Sequence, residues 1–357
     1  MHPISNLLRY YLCSAPSALI SRGGLREKDT MKLEKLFNSK VDRRRVLGNL
    51  GMMGAGAVLT ACGTNTMGQD DNDKDEQMAA EVDAAILNFA LNLEYLEAAF
   101  YLAAVGRLDE MSDIPGFENI VAGEANTFES DVVAAYADEI ATDELNHVKF
   151  LRTALADAAV AIPAINVAGG PEGAFGAAAK AAGANAGLDA ATQEALTNFD
   201  PYASDLFFLH GAFIFEDVGV TAYKGASPLV TNPDFLEAAA GILAVEAYHS
   251  GEIRTLLYAQ RDETALPAGL ITGSSELSVT QVVGAISALR ATLGGGKDQS
   301  IVVDGRANIV LADPATSIAY SRTPAEVLAI VYGGGAVAEG GLFFPEGLNG
   351  DFSALLG

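Results

Sequence analysis

Four histidines occur in the chain, His2, His147, His210 and His249, and two of them follow a glutamate at the same interval, in Glu144-Leu-Asn-His147 and Glu246-Ala-Tyr-His249. Residues three apart on a helix share a face, one turn from each other. Each pair can therefore bring a carboxylate oxygen and an imidazole nitrogen to one point. Donors of these two kinds suit iron, manganese or zinc. One such pair arises easily by chance; two among four histidines make a stronger signal.

The pairs belong to a longer repeat. Glu94 is followed seven residues later by Tyr101, and Glu216 by Tyr223; Arg152 and Arg254 each lie five residues past a motif histidine. The order Glu…Tyr, then Glu-x-x-His…Arg, thus occurs twice. This is an internal duplication of two helical hairpins, with a pseudo-two-fold axis through the core. Six candidate metal ligands follow: Glu94, Glu144, His147, Glu216, Glu246 and His249. One Glu from each of two helices plus Glu-x-x-His from each of two others is the ligand set of dinuclear carboxylate bundles. Four carboxylates neutralise two divalent cations, with Glu144 and Glu246 as the expected bridges; without cations they would have to protonate or face solvent.

Several neighbours have two readings. Glu97, one turn beyond Glu94, is its rival, but the residue seven after Glu97 is Ala104, so the repeat favours Glu94. Tyr101 and Tyr223 read either as hydrogen-bonding or redox-active neighbours of the metals or as core tyrosines. Arg152 and Arg254 fall off the ligand line by helical angle and read as surface or salt-bridge residues. Asp143, Asp217 and Glu252 read as solvated groups or outer partners of the ligands. His210 has Phe207 three residues before it and reads as a core or interhelix histidine.

The elements that must position these residues are four long helical patterns, over about 80–105, 128–157, 204–225 and 233–260. Pro115-Gly116 breaks the first link, Asp200-Pro201 signals the third helix, and Asn232-Pro233 caps the fourth. A long Ala- and Gly-rich connection with a short helix near 174–182 separates the two pairs and reads as scaffold. Helix, short link, helix, long crossover, helix, short link, helix is the connectivity of ferritin-like bundles. Beyond it, residues 278–293 look helical, Asp304-Gly305 is a hairpin signal, and Thr323-Pro324-Ala325-Glu326 is a capping box. The fold expected is an all-α four-helix bundle over 80–262. A small, mostly helical extension with a short β-hairpin, 263–357, packs on it.

Composition excludes some functions. With 46 acidic against 22 basic residues the net charge is -24, which disfavours nucleic acid. Two cysteines, Cys13 and Cys62, support neither a disulfide framework nor a thiolate zinc site. Near the N-terminus, Arg43, Arg44 and Arg45 precede a Gly- and Ala-rich apolar stretch ending in Leu59-Thr60-Ala61-Cys62. The first feature resembles a twin-arginine export signal and the second a bacterial lipobox. That resemblance implies an export segment over 1–61, with Met31 as the expected start. It also implies lipidation at Cys62 and a place in the bacterial envelope, periplasmic or anchored to the outer membrane. Residues 62–79 read as an acidic flexible tether.

Leu91-Asn92-Leu93-Glu94 with Tyr101 resembles the first ligand helix of ferritins. The stretches ALNLEYLEAAFYL, FEDVGVTAYKGASPL, SRTPAEVLAIVYGGG and GLFFPEGLNG resemble the ferritin-like family that includes desiccation-related and stress-response proteins. The similarity spans about 80–350 and carries the six ligands over by position. It implies a cofactor of two iron or manganese ions. Relatives in the wider superfamily include ferroxidases, rubrerythrins and manganese catalases, so the implied function is an oxidase or a scavenger of peroxide or other small oxygen species. The alternative is a non-catalytic metal-binding or structural desiccation protein of the envelope. A ferritin-type storage cage is disfavoured by the tether, the long crossover and the C-terminal extension. A homo-oligomer is compatible with all of these.

Overall fold

The computed structural model describes residues 69–265, 276–336 and 339–356. The readings on Arg43, Arg44, Met31 and Cys62 lie outside them. Helix α1 spans Gln69–Ala104, a run without Gly or Pro, and stops before Gly106 at φ 72°. It starts inside the stretch read as a flexible tether (62–79). Helix α2, Asp131–Leu155, is capped by the Ser130 side chain, which accepts from the Val133 amide. The two helices pack against each other as the first hairpin.

The crossover holds more structure than its composition suggests. Strand β1, Ile120–Ala122, in the α1–α2 link pairs in parallel with β2, Ile165–Val167, with Ile120 opposite Ile165. Two short helices follow, α3 (Ala174–Asn185) and α4 (Ala190–Leu196). Helix α5, Asp205–Ala226, is capped by Ser204 rather than by Asp200-Pro201; Asp200 instead accepts from the Tyr202 amide in the preceding turn. The longer apolar stretch Asp205–Leu229 would pass for a membrane span, but 83% of its apolar window is buried inside the protein, so it is the central core helix. Helix α6, Pro233–Ala259, has the expected Asn232 cap, whose oxygen accepts from the Asp234 and Phe235 amides.

After the bundle come α7 (Val279–Leu293), the antiparallel strands β3 (Val302–Val303) and β4 (Arg306–Ala307), α8 (Pro324–Val331) and α9 (Ser353–Leu356). The hairpin turn uses Asp304 at φ 50° and Gly305 at φ 72°, the left-handed pair that a two-residue turn requires. Thr323 and Glu326 form the expected capping box, and Ser278 with Gln281 forms a second. This segment lies against the bundle: the Arg322 amide donates to Thr221 O on α5, and the Asn349 amide to Asn92 Oδ1 on α1. The described residues thus form a ferritin-like helical fold with two short two-stranded sheets.

Candidate metal centre

Each of the four long helices turns one part of the repeat inward. Helix α1 presents Glu94, α2 Glu144 and His147, α5 Glu216, and α6 Glu246 and His249; all six are buried. The duplication places them as two facing groups. One ligand atom from each of Glu94, Glu144, His147 and Glu246 falls within 4.8 Å of the others, and so do atoms of Glu144, Glu216 and His249. Glu144 belongs to both groups, through Oε2 at 3.4 Å from His147 Nδ1 and Oε1 at 3.0 Å from His249 Nδ1. His147 Nδ1 also lies 3.2 Å from Glu94 Oε2, and His249 Nδ1 3.7 Å from Glu216 Oε2. Glu246, expected as a second bridge, falls in the first group alone, 3.8 Å from His147 Nδ1.

The donor atoms crowd together without satisfying one another. Among the described residues, Glu144 Oε1, Glu216 Oε2, both Glu246 oxygens and His249 Nδ1 are buried with no hydrogen-bond partner. His249 Nδ1 and Glu144 Oε1 are close enough to bond but not aligned for it. Bare, converging lone pairs at this spacing are what a shared cation would use, and their cost without one is high. The residues present therefore fit metal binding, in two groups that share Glu144.

Burial pushes Glu94 up to about 7 and Glu216 up to about 8, the negative charge of Glu144 adding to both, while Glu246 is raised well above the carboxylate range by burial and its carboxylate neighbours. Burial would raise Glu144 too, but the two histidines beside it, His147 through a hydrogen bond and both through their charge, hold it below its ordinary value. Burial alone would lower the histidines; Glu94 and Glu144 beside His147, and Asp143, Glu144 and Glu216 beside His249, instead lift both to about 11. Without cations the cluster thus holds protons where it would hold metal.

Outer partners follow the repeat. The Tyr101 hydroxyl on α1 donates to Glu216 on α5, and the Tyr223 hydroxyl on α5 donates to Glu94 on α1, so the tyrosines cross over between the halves. Arg152 donates to the Tyr95 hydroxyl at 2.5 Å, and Arg254 to Asp217 Oδ2 at 2.8 Å. Tyr95 and Asp217 are the residues directly after Glu94 and Glu216, so each arginine braces one carboxylate helix from the neighbouring one. Arg254 is fully buried and Asp217 1% exposed, and they form an ion pair, so of the two readings of Arg254 the salt bridge holds and the surface position does not, and Asp217 is not solvated. Asp217 also receives Ser250 and Arg290; Arg290 and Arg322 both reach Asp298. Nothing in the motif spacing announced Arg290, Asp298 and Arg322: Arg290 and Asp298 are eight residues apart, but Arg290 lies 73 residues from Asp217 and Arg322 lies 24 from Asp298.

Glu97 is not excluded by Glu94. It is buried as well, pushed well above its ordinary range by burial and by Glu144, Glu216 and Glu94. Its counterpart in the repeat is Gly219, where an added Cβ would stand 2.1 Å from Glu246 Oε2 and 3.3 Å from Glu97 Oε1. The missing side chain on α5 is what admits the Glu246 carboxylate. Asp143 Oδ2 lies 3.3 Å from His249 Nε2 and orients that ring; the equivalent position before Glu246 is Val245.

The model of the ferritin-like domain matches residues 82–259, and the chain belongs to the ferritin-like family. It is similar to desiccation-related protein PCC13-62 of Craterostigma plantagineum, 29% identical over 291 residues that cover 77% of this chain and 85% of that one. It is also similar to ferritin-like catalase Nec2 of Nesocodon mauritianus, 27% identical over 287 residues, 76% of this chain and 84% of the relative. No solved structure matches it significantly.

Two outcomes test this geometry. Adding Mn(II) or Fe(II) to metal-free protein displaces protons from ligands whose affinities lie at about 7, 8 and 11. Metal affinity therefore rises with pH from about 6 to 9, with net proton release measurable by calorimetry in two buffers. Affinity that is flat across that range contradicts the ligand assignment. Gly219→Ala drives a methyl group into Glu246 and is expected to lower the bound-metal content while helicity by circular dichroism is kept; unchanged content contradicts the role given to Glu246.

Proposed function

We propose that the chain is a dinuclear metalloprotein acting on small oxygen species, hydrogen peroxide above all. The observation that carries this reading is the Glu144 carboxylate set between two imidazole–carboxylate groups whose remaining lone pairs are bare. The relative named ferritin-like catalase supports the choice of peroxide. Iron or manganese bound there would supply reversible one-electron redox chemistry and open coordination positions.

The chain's own residues do the rest. Tyr101 and Tyr223 each hold one oxygen of Glu216 and Glu94, fixing those carboxylates' orientation. Burial raises both tyrosines well above their ordinary range, so they stay protonated and act as donors. Glu97, pushed well above the ordinary carboxylate range by burial and by its carboxylate neighbours, lies near the Glu246 carboxylate across Gly219. Packed helices exclude bulk water and large molecules from the centre, where Glu94, Glu144 and Glu246 are 0% exposed; His147, at 8%, is its most open ligand.

Oxygen evolution from hydrogen peroxide by manganese- or iron-loaded protein tests the reading. Glu144→Ala and His249→Ala are expected to reduce turnover by more than about 100-fold, since outer partners of a ligand alone carry about 10–100-fold. A loaded wild-type protein that leaves peroxide and Fe(II) untouched would favour the second reading, a non-catalytic desiccation or stress protein, which the similarity to PCC13-62 supports. Export and lipid anchoring belong to this proposal on the sequence alone, through Arg43, Arg44 and Cys62. Expressed in a bacterium with twin-arginine export, the chain should partition with membranes and its Cys62→Ser variant should not; equal partitioning removes the anchor.

A further inference from the structure

The two halves of the centre carry the same motif but do not offer a cation the same donors. The glutamates held by the tyrosines are used alike. Tyr223 takes one oxygen of Glu94 and Tyr101 one oxygen of Glu216. The other oxygen, Oε2, faces an imidazole, His147 Nδ1 at 3.2 Å from Glu94 and His249 Nδ1 at 3.7 Å from Glu216. Glu144 serves both halves, with one oxygen toward each histidine. The difference lies in Glu246. Its Oε1 lies 3.8 Å from His147 Nδ1, in the other half. Among the described residues, His249 pairs with Asp143, Glu144 and Glu216 but not with Glu246, the glutamate of its own motif.

Gly219 supplies the physical reason. Glu246 Oε2 fills the space where a side chain on Gly219 would begin, 2.1 Å from the position of an added Cβ. Glu97 Oε1 lies 3.3 Å from the same point. A carboxylate bridges two ions only when each of its oxygens faces one of them. Glu144 meets that condition; Glu246 spends one oxygen against α5 and is not among the donors of the second group. One group is thus built from three carboxylates and an imidazole, Glu94, Glu144, Glu246 and His147. The other has two carboxylates and an imidazole, Glu144, Glu216 and His249. Affinity of a carboxylate site for a cation grows with the number and charge of its ligands.

We propose, resting on the dinuclear reading above, that the two ions are held unequally: the His147 group, which has Glu246 to itself, fills first, and the His249 group fills only at higher metal concentration. Metal supply then sets how much of the protein is in its two-ion form. A reaction that needs both ions follows the occupancy of the weaker group. The duplication alone would make the halves equivalent, with Glu246 a second bridge; the glycine at 219 is what breaks the equivalence. The difference in affinity is at least about tenfold, since even an indirect partner of a ligand carries about 10–100-fold.

Titration of the metal-free full chain with Mn(II), the free ion counted by electron paramagnetic resonance, tests the proposal. Repulsion between two cations separates the binding steps in any such centre, so the variants decide. Glu94→Ala and Glu246→Ala come from opposite halves, yet each takes one carboxylate from the His147 group. Both are expected to weaken the first step at least about tenfold and still to bind two ions at saturation. Glu216→Ala takes its carboxylate from the poorer group and is expected to keep the first step and lose the second, holding one ion. Glu94→Gln, Glu216→Gln and Glu246→Gln, which keep the side-chain volume, repeat the comparison for any alanine variant whose helicity by circular dichroism falls. A symmetric centre gives a different pattern, in which Glu94→Ala and Glu216→Ala act alike and Glu246→Ala weakens both steps. That pattern overturns the proposal and leaves a dinuclear centre standing. A wild-type chain that binds no Mn(II) removes the dinuclear reading itself, and the proposal with it.

Discussion

A buried carboxylate costs several kcal/mol unless a charge or a proton neutralises it, and this bundle buries five of them, Glu94, Glu97, Glu144, Glu216 and Glu246, around two imidazoles. The rest of the architecture answers that cost. Hydroxyls of Tyr101 and Tyr223 cap one oxygen of two carboxylates, and the histidines hold Glu144 ionised. What remains unsatisfied is a set of oxygen and nitrogen atoms converging on two points that share one residue. Two cations at those points would remove the repulsion that protons otherwise relieve. The four helices are, in this sense, held in register by the need to keep these groups at ligand spacing.

The duplication explains the symmetry of the site, and its departures explain the asymmetry. Where the first half has Glu97, the second has Gly219, and the space so opened is occupied by Glu246 with Glu97 near it. Asp143 orients His249, whereas Val245 can do nothing equivalent for His147. The bracing pairs differ as well, Tyr95 with Arg152 but Asp217 with Arg254. The charged version sits where Arg290, Asp298 and Arg322 of the C-terminal segment extend it into a buried network. Each charge there is matched by a partner or by backbone carbonyls, so the network depends on its remote members being in place.

The helices, their order and the carboxylates and imidazoles that converge in the core could be read from local spacing, because Glu-x-x-His, Glu…Tyr at seven and the Asn232-Pro233, Thr323-x-x-Glu326 and Asp304-Gly305 signals are decided within a turn or two. What could not be read depends on contacts distant in the chain. The parallel pairing of Ile120–Ala122 with Ile165–Val167 joins segments that neither motif nor period connects. Glu97 was set against Glu94 as a rival because the repeat offers one position; only the packing of α5, with a glycine opposite, lets both face inward. Helical angle left Arg254 either at the surface or in a salt bridge; only the contacts of α6 with the backbone around the β3–β4 hairpin decide for a buried one. The start of α1 at Gln69 was hidden because the polar run from Gln69 to Gln77 carries no apolar period.

The most direct test of the account is the metal content of folded protein, recovered without added metal and measured by plasma mass spectrometry against protein concentration. The account requires about two ions of iron or manganese per chain, falling in Glu144→Ala, whose side chain serves both groups. A stable, folded wild-type chain that carries no metal and takes up none from Fe(II) or Mn(II) would mean that protons alone neutralise the buried cluster, and the dinuclear centre would have to be abandoned.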